Sequence, residues 1–133
     1  MARTQAKGPH PPTLRLATLK RRPEFQRVRK GARWATSTFV LEARQRPAHE
    51  QGQARFGFTV SRQVGGAVER NRIKRRLKAA VRGLQTKHAK PDFDYVLIAR
   101  RPALDCAFAA LLSDLAKALE RVHATPQRRE SRK

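Results

Sequence analysis

Residues 70–82 place the strongest constraint on how this chain can fold, because seven of these thirteen residues are Lys or Arg. Ile73, Leu77 and Val81 recur through the same stretch at the spacing of one helix face. We therefore predict a helix over residues 67–84 that packs its apolar side on a core and turns its cations outward. Like charges four residues apart weaken an isolated helix by about 0.2–0.5 kcal/mol per pair. The stretch therefore predicts a negatively charged partner.

The chain as a whole is strongly basic. Its 133 residues include 31 Lys and Arg but only 10 Asp and Glu, which gives a formal net charge of +21. Such an excess indicates nucleic acid as the first candidate partner. An anionic membrane surface is the second, but no long amphipathic helix with a bulky apolar face is predicted. The start of the chain lacks the apolar segment of a secretory signal, and a single cysteine excludes an intrachain disulfide, so we expect a cytoplasmic protein.

The remaining apolar patterns predict an α+β fold in which helices pack on one sheet. A helix over 23–30 precedes strands over 38–43 and 55–62, and the basic helix is followed by a buried strand and a last helix over 94–100 and 105–122. The strand over 55–62 alternates aromatic or branched residues with small ones, which predicts one face of small side chains.

The two ends of the chain are basic, polar and poor in apolar residues. We predict a disordered basic arm over residues 1–13, a folded domain over 14–122 and a flexible basic tail over 123–133.

No pattern typical of protein catalysis is present in the sequence. Asp92 and Asp94 are the one close carboxylate pair, and we assign them to a turn and a strand start rather than to a metal. Cys106 has no histidine patterned near it, and a GxxxxGK[ST] loop is absent. The four histidines show no metal-binding spacing, and we expect each of them to be exposed: His10, His49, His88 and His123. A protein nuclease is therefore the weakest hypothesis.

The segment VERNRIKRRLK at residues 68–78 resembles the RNRxKRxxR signature of bacterial ribonuclease P protein subunits. PEFQRVRKG, RFGFTVSRQVGGAVERNR and DYVLIARRPA resemble other segments of that family in the same order, so that the resemblance covers about residues 19–122. It implies a two-layer α/β sandwich of three helices and a mixed four-stranded sheet, with a left-handed βαβ crossover. The fourth strand is expected near residues 33–36.

The resemblance also implies a function. In this family the protein, itself non-catalytic, assists a catalytic RNA that removes the 5′ leader from precursor tRNA, with Mg²⁺ held mainly by the RNA and one protein per RNA. The residues implied to bind the catalytic RNA are Arg70, Asn71, Arg72, Lys74, Arg75 and Lys78. Those implied to form the leader-binding cleft are Phe25, Arg29, Val40, Thr59, Ser61 and Arg62. A structural ribosomal protein that binds RNA is the alternative, since it would share the size and basicity.

Four positions depart from the family pattern, and one of them is Lys78, which stands where the signature more usually ends in Arg. Arg29 stands where a second aromatic residue is common, and Glu42 stands where an aromatic residue is frequent near the end of the first strand. Gln63 replaces a commonly basic residue in the turn before the basic helix. We therefore expect weaker stacking on the leader, with Arg29 contributing charge or guanidinium stacking instead.

Overall fold

A computed structural model of the protein describes residues 17–124, without the side chains of residues 85–88. The predicted basic arm and all but the first two residues of the predicted tail lie outside these described residues. The helices are α1 (Arg22–Val28), α2 (Ala67–His88) and α3 (Phe108–Ala124). The strands are β1 (Ala32–Ala35), β2 (Phe39–Gln45), β3 (Arg55–Thr59) and β4 (Phe93–Ala99). The predicted order of elements is confirmed, including the short strand expected near residues 33–36.

The four strands form one mixed sheet in the order β1–β2–β4–β3. The β1–β2 and β2–β4 pairs are antiparallel, whereas β3 and β4 are parallel. Parallel neighbours need a long crossover connection, and α2 supplies it. The predicted α+β class and mixed four-stranded sheet are confirmed, and the left-handed sense of the crossover stays a prediction.

The main core lies between one face of the sheet and helices α2 and α3. Ile73, Leu77 and Val81, the predicted apolar side of α2, are fully buried there. Burial of one such side chain is worth about 1.5–3 kcal/mol. Since a like-charge pair on the helix surface costs about 0.2–0.5 kcal/mol, core packing determines which side of α2 faces inward.

Helix α1 packs on the opposite face of the sheet and forms a second, smaller core. Leu19, Val28 and Val96 are buried in this core, and Phe25 packs against it. Gly57 makes the contact possible, because a Cβ atom at this position would lie 2.5 Å from the Phe25 ring. The small-residue face predicted for this strand therefore receives a helix over part of its length.

A buried ion-pair network fixes the segment between β2 and β3. Arg46 is only 7% exposed and donates to Oδ1 of Asp94 at 2.6 Å. Arg55 donates to the same carboxylate through Nε at 2.8 Å. Asp92 adopts a φ of 72°, and its carboxylate accepts a hydrogen bond from the backbone N–H of Gly52 at 2.8 Å. The assignment of Asp92 and Asp94 to a turn and a strand start is thus confirmed.

The prediction that His123 is exposed is wrong. This residue lies in the last turn of α3, with Nε2 2.6 Å from the Tyr95 hydroxyl. The Phe93 ring meets the imidazole edge-on, with centroids 4.6 Å apart. Burial, assisted by the nearby charge of Lys90, lowers the pKa of His123 to about 4. Helix α3 is thereby joined at its end to β4 through a neutral histidine.

Replacing Gly57 by Ala is expected to displace Phe25 and destabilise the protein. The added Cβ atom would lie 2.5 Å from the aromatic ring, and overpacking of this kind costs about 1–3 kcal/mol. Chemical denaturation would measure the loss. Gly66→Ala is the matched control, since a Cβ atom there meets nothing within 4 Å. Equal stability of the two variants would contradict the seating of α1 on β3.

Acidification is expected to weaken the fold through His123. The unfolded chain binds this proton near the ordinary pKa of 6.5, whereas the folded protein binds it only near pH 4. The stabilising contribution is therefore fully present above pH 6.5 and is lost as the pH falls to about 4. His123→Gln should give a flatter dependence of the unfolding free energy on pH in this window. Parallel curves for parent and variant would argue against a buried neutral histidine.

Candidate nucleic-acid interface

An exposed ion pair fixes the start of the basic helix. Oε1 of Glu69 accepts from the backbone N–H of Gly66 at 3.2 Å and from Arg101 at 2.9 Å. Hydrogen bonding to Arg101 and to that N–H lowers the pKa of Glu69, so its carboxylate stays charged. Gly65 has a φ of 154°, and a Cβ atom there would clash with both members of the pair. The turn after β4 is thereby joined to the first turn of α2.

The outward side of α2 carries a basic stripe, which we define as the six predicted RNA-binding residues. Arg72, Lys74 and Arg75 are exposed, and Lys78 is partly exposed. With the undescribed side chains of residues 85–88 set apart, no hydrogen bond or ion pair within residues 17–124 occupies any of these four side chains. An exposed guanidinium group without a protein partner can bind a phosphate through two N–H groups at once, and an ammonium group can bind one as a point charge.

The other two members of the stripe have different surroundings. Nε of Arg70 donates to the backbone carbonyl of Gly65 at 3.2 Å, and its side chain is partly exposed. Asn71 is exposed beside it on the first turns of the helix. Arg70 therefore combines a contact to the preceding turn with a charge at the surface.

Arg76 belongs to the same basic run but points elsewhere. Its guanidinium donates to the backbone carbonyls of Ala103 at 2.8 Å and Leu104 at 2.7 Å, and also to that of Cys106. These contacts anchor the turn between β4 and α3 to the middle of α2. Arg76 was not among the predicted RNA contacts, and its side chain is occupied by the fold itself.

A groove runs along α1 on the face of the sheet opposite α2. Val40, Ile98 and Thr59 are lateral neighbours on this face, because they pair across β2, β4 and β3. The groove has a volume of about 370 Å³. Its lining residues are Lys20, Arg22, Phe25, Gln26, Arg29 and Thr59. A partly exposed aromatic ring among cations can stack a base while the cations contact phosphates.

Glu42 lies on the same face of the sheet, and its position could not be predicted from the sequence. Its side chain is 2% exposed and accepts from Nη1 of Arg33 at 3.1 Å. Burial raises the pKa of Glu42, while the charges of Arg33 and Arg29 oppose the rise. This chain therefore holds a buried carboxylate next to the charges of Arg33 and Arg29.

A second groove continues around the edge of the sheet towards α2. It has a volume of about 400 Å³ and is lined by Thr18, Leu19, Lys20, Phe25, Phe58, Lys74 and Lys78. Lys20 and Phe25 border both grooves. The aromatic residue predicted for the cleft and two cations of the basic stripe therefore lie on one continuous surface. Lys20 and Arg22 were not predicted for the cleft. The basic run directly before Pro23 is the sequence feature that could have identified them.

Three residues predicted for the cleft line neither groove, and one of them is Val40, which pairs with Ile98 on the sheet face that receives α1. Strand β3 ends at Thr59, not at residue 62 as predicted, because residues Arg62–Val64 turn into a short 3-10 helix. Ser61 and Arg62 are exposed in this turn and line neither groove. Their predicted role in leader binding stays a prediction.

Among the side chains that the structure describes, no three of His, Cys, Asp or Glu are grouped so that they could hold a metal ion. None of the helices within residues 17–124 combines the length and the apolar character that a membrane span requires.

Comparison with known proteins gives consistent matches. The family model described as Ribonuclease P matches residues 14–123. The Ribonuclease P protein component of Caulobacter vibrioides (strain NA1000 / CB15N) is 40% identical over 114 residues, which are 86% of this chain and 74% of that protein. The same component of Ruegeria pomeroyi is 39% identical over 110 residues, which are 82% of this chain and 88% of that protein.

Solved structures of the same kind of protein share the fold. The RNase P protein of Staphylococcus aureus superposes with a TM-score of 0.66 at 30% identity, over 80% of this chain and 95% of that one. The protein from Thermotoga maritima superposes with a TM-score of 0.67 at 26% identity, over 78% of this chain and 96% of that one.

Proposed function

The chain belongs to the ribonuclease P protein family, and from that premise we propose how its surface serves the ribonucleoprotein. The protein is the protein component of ribonuclease P and acts in tRNA processing. In the proposal, the basic stripe of α2 binds the catalytic RNA, and the groove along α1 binds the 5′ leader of precursor tRNA. The alternative of a structural ribosomal protein is set aside, since the family match covers nearly the whole described domain.

The observation that carries the proposal is the contrast between Arg76 and its neighbours on α2. Arg76 is occupied by backbone carbonyls, whereas Arg72, Lys74 and Arg75 face solvent without a partner among the described residues. A helix that is fixed on its buried side and bears unpartnered cations on the other presents a rigid array for phosphates. Contacts of this kind recognise a folded RNA by its shape and backbone rather than by its base edges.

The groove along α1 suits a single strand rather than a helix. Phe25 offers a stacking surface that accepts any base, and Lys20, Arg22 and Arg29 supply charge along the backbone. Because Lys20 and Phe25 also border the second groove, a leader in the first groove would lie next to Lys74 and Lys78. The catalytic RNA and the leader would then meet at one edge of the protein.

We assign catalysis and Mg²⁺ to the RNA. Within the described residues the carboxylates do not fit a metal site, since Asp94 is bound to Arg46 and Arg55, and Glu69 is bound to Arg101. The protein would act by holding phosphates and the leader in place, which lowers the concentration of Mg²⁺ that the RNA requires. One protein per RNA and a cytoplasmic location are parts of the same proposal.

Arg75→Ala is expected to weaken binding of the ribonuclease P RNA and to flatten its dependence on salt. Loss of one phosphate contact should reduce the slope of log K against log salt concentration by about 0.7–0.9. Arg76→Ala is the matched control, because it removes the same charge from the next residue of the same helix. It should lower the melting temperature instead, and change the slope less. A slope for Arg75→Ala equal to that of the parent would mean that Arg75 touches no phosphate.

Phe25→Ala is expected to weaken binding of precursor tRNA more than binding of mature tRNA. Stacking of one base on an aromatic ring is worth about 1–3 kcal/mol, and mature tRNA has no leader to lose. Affinities of the reconstituted ribonucleoprotein for both RNAs would measure the difference. Gln26→Ala, which alters the same groove without removing a ring, should have little effect. Equal losses for the two RNAs would show that Phe25 does not contact the leader.

A further inference from the structure

We propose that the RNA-binding surface extends from α2 onto the first turn of α3, where Phe108 stacks on an unpaired base of the ribonuclease P RNA. The inference rests on the proposed function, because it takes the RNA bound by the basic stripe as its partner. It adds a base contact to an interface that would otherwise consist of phosphate contacts. Neither the signature RNRxKRxxR nor the groove along α1 includes this residue.

The first observation is the exposure of Phe108. The apolar side of α3 is buried at Leu111, Leu115 and Leu119, yet Phe108 is 41% exposed. Among residues 17–124, the other large hydrophobic side chain that remains exposed is Val68, at 83%. An aromatic side chain costs free energy when it is left in water, and an exposed apolar group beside a charged surface often marks a contact site.

The second observation is where the fold places this ring. The side chain of Arg76 reaches the backbone carbonyl of Cys106, two residues before Phe108. One turn after Phe108, Cδ2 of Leu112 lies 3.8 Å from the position that a Cβ atom on Gly83 would take. Since residues four apart share a helix face, Phe108 lies on the side of α3 that meets α2.

The side of α2 that meets α3 also bears Arg72, a member of the basic stripe. Arg72 precedes Arg76 by one turn, and Ala79 follows Arg76 by three residues; both are exposed. Val68 precedes Arg72 by one further turn on the same side of the helix. Val68 and Arg72 thus lie on the side of α2 that Arg76 joins to the start of α3, and Phe108 follows two residues after that contact.

Charge determines which occupant fits this surface. A second copy of the chain would also carry a net charge of +21 and would be repelled. A nucleotide instead offers a π face to Phe108 and phosphates to Arg72 and Arg75. Folded RNAs present such bases at bulges and loops, where they are not stacked in a helix.

The test compares Phe108→Leu, which keeps an apolar side chain, with Phe108→Trp, which keeps a stacking ring. Binding of the ribonuclease P RNA should be about 5- to 150-fold weaker for the Leu variant, as loss of one stacked base implies, and nearly unchanged for the Trp variant. The salt slope of the Leu variant should equal that of the parent, because no phosphate contact is lost. Chemical probing of the RNA should show one base protected by the parent and by the Trp variant but not by the Leu variant.

Fluorescence gives a readout that does not depend on the folding of the Leu variant. In a Trp34→Phe background, the indole introduced by Phe108→Trp should be quenched when the RNA binds, since a base stacked on it shortens its excited state. An unquenched indole, or a Leu variant that folds and binds the RNA as tightly as the parent, would overturn the inference. A Leu variant that changes self-association, measured by sedimentation, would overturn it in favour of a protein interface.

Arg75→Ala in the same assays separates this inference from the proposed function. If Arg75→Ala weakens binding and Phe108→Leu does not, Phe108 lies outside the interface while α2 still binds the RNA. If neither substitution weakens binding, the proposed role of α2 is itself wrong.

Discussion

The structure depends on the burial of the apolar side of α2, because this helix also carries the densest positive charge in the described domain. Ile73, Leu77 and Val81 are completely buried, and each is worth several times the repulsion between two neighbouring cations on a helix surface. The outward direction of the basic stripe follows from this packing. Arg76 and the pair of Glu69 with Arg101 strengthen the same arrangement, since both join α2 to the turn that follows β4.

The sheet separates the basic stripe from the groove along α1, which the proposed function uses together. Its α2 face supplies the core, and its other face seats α1 through the contact of Phe25 with Gly57. Phe25 is therefore both a structural residue and a wall of the two grooves. A substitution that moves α1 would alter the groove along α1 and the edge next to Lys74 and Lys78, even though none of the basic residues is changed.

Much of the fold could be predicted from local sequence pattern. The ends of the strands and the burial of several polar side chains could not. The helical spacing of Ile73, Leu77 and Val81 identifies α2 and its buried side, because apolar residues that recur with the period of a helix lie on one face. Strand β1 has only four residues and came from the family resemblance rather than from its own pattern. Burial of Arg46 and His123 depends on partners 48 and 28 residues away in the sequence, which no local pattern specifies.

The candidate site, like the fold, could be predicted only in part from the sequence. The sequence shows the cations of the stripe. It does not show directly that Arg76 is hydrogen-bonded to backbone carbonyls, whereas Arg75 has no partner among the described residues. One signal was available, because Arg76 lies three residues after Ile73 and four before Ala80, next to the buried side of the helix. The burial of Glu42 under Arg33 and Arg29 required the sheet register.

Cleavage of precursor tRNA at low Mg²⁺, with the catalytic RNA alone, the protein alone and the two combined, tests the central claim most directly. The account predicts that only the combination removes the leader, because the protein supplies binding and the RNA supplies the chemistry. Cleavage by the protein alone, with contaminating nucleases excluded, would contradict the assignment of catalysis to the RNA. A combination no more active than the RNA alone would contradict the role of the basic stripe in the ribonucleoprotein.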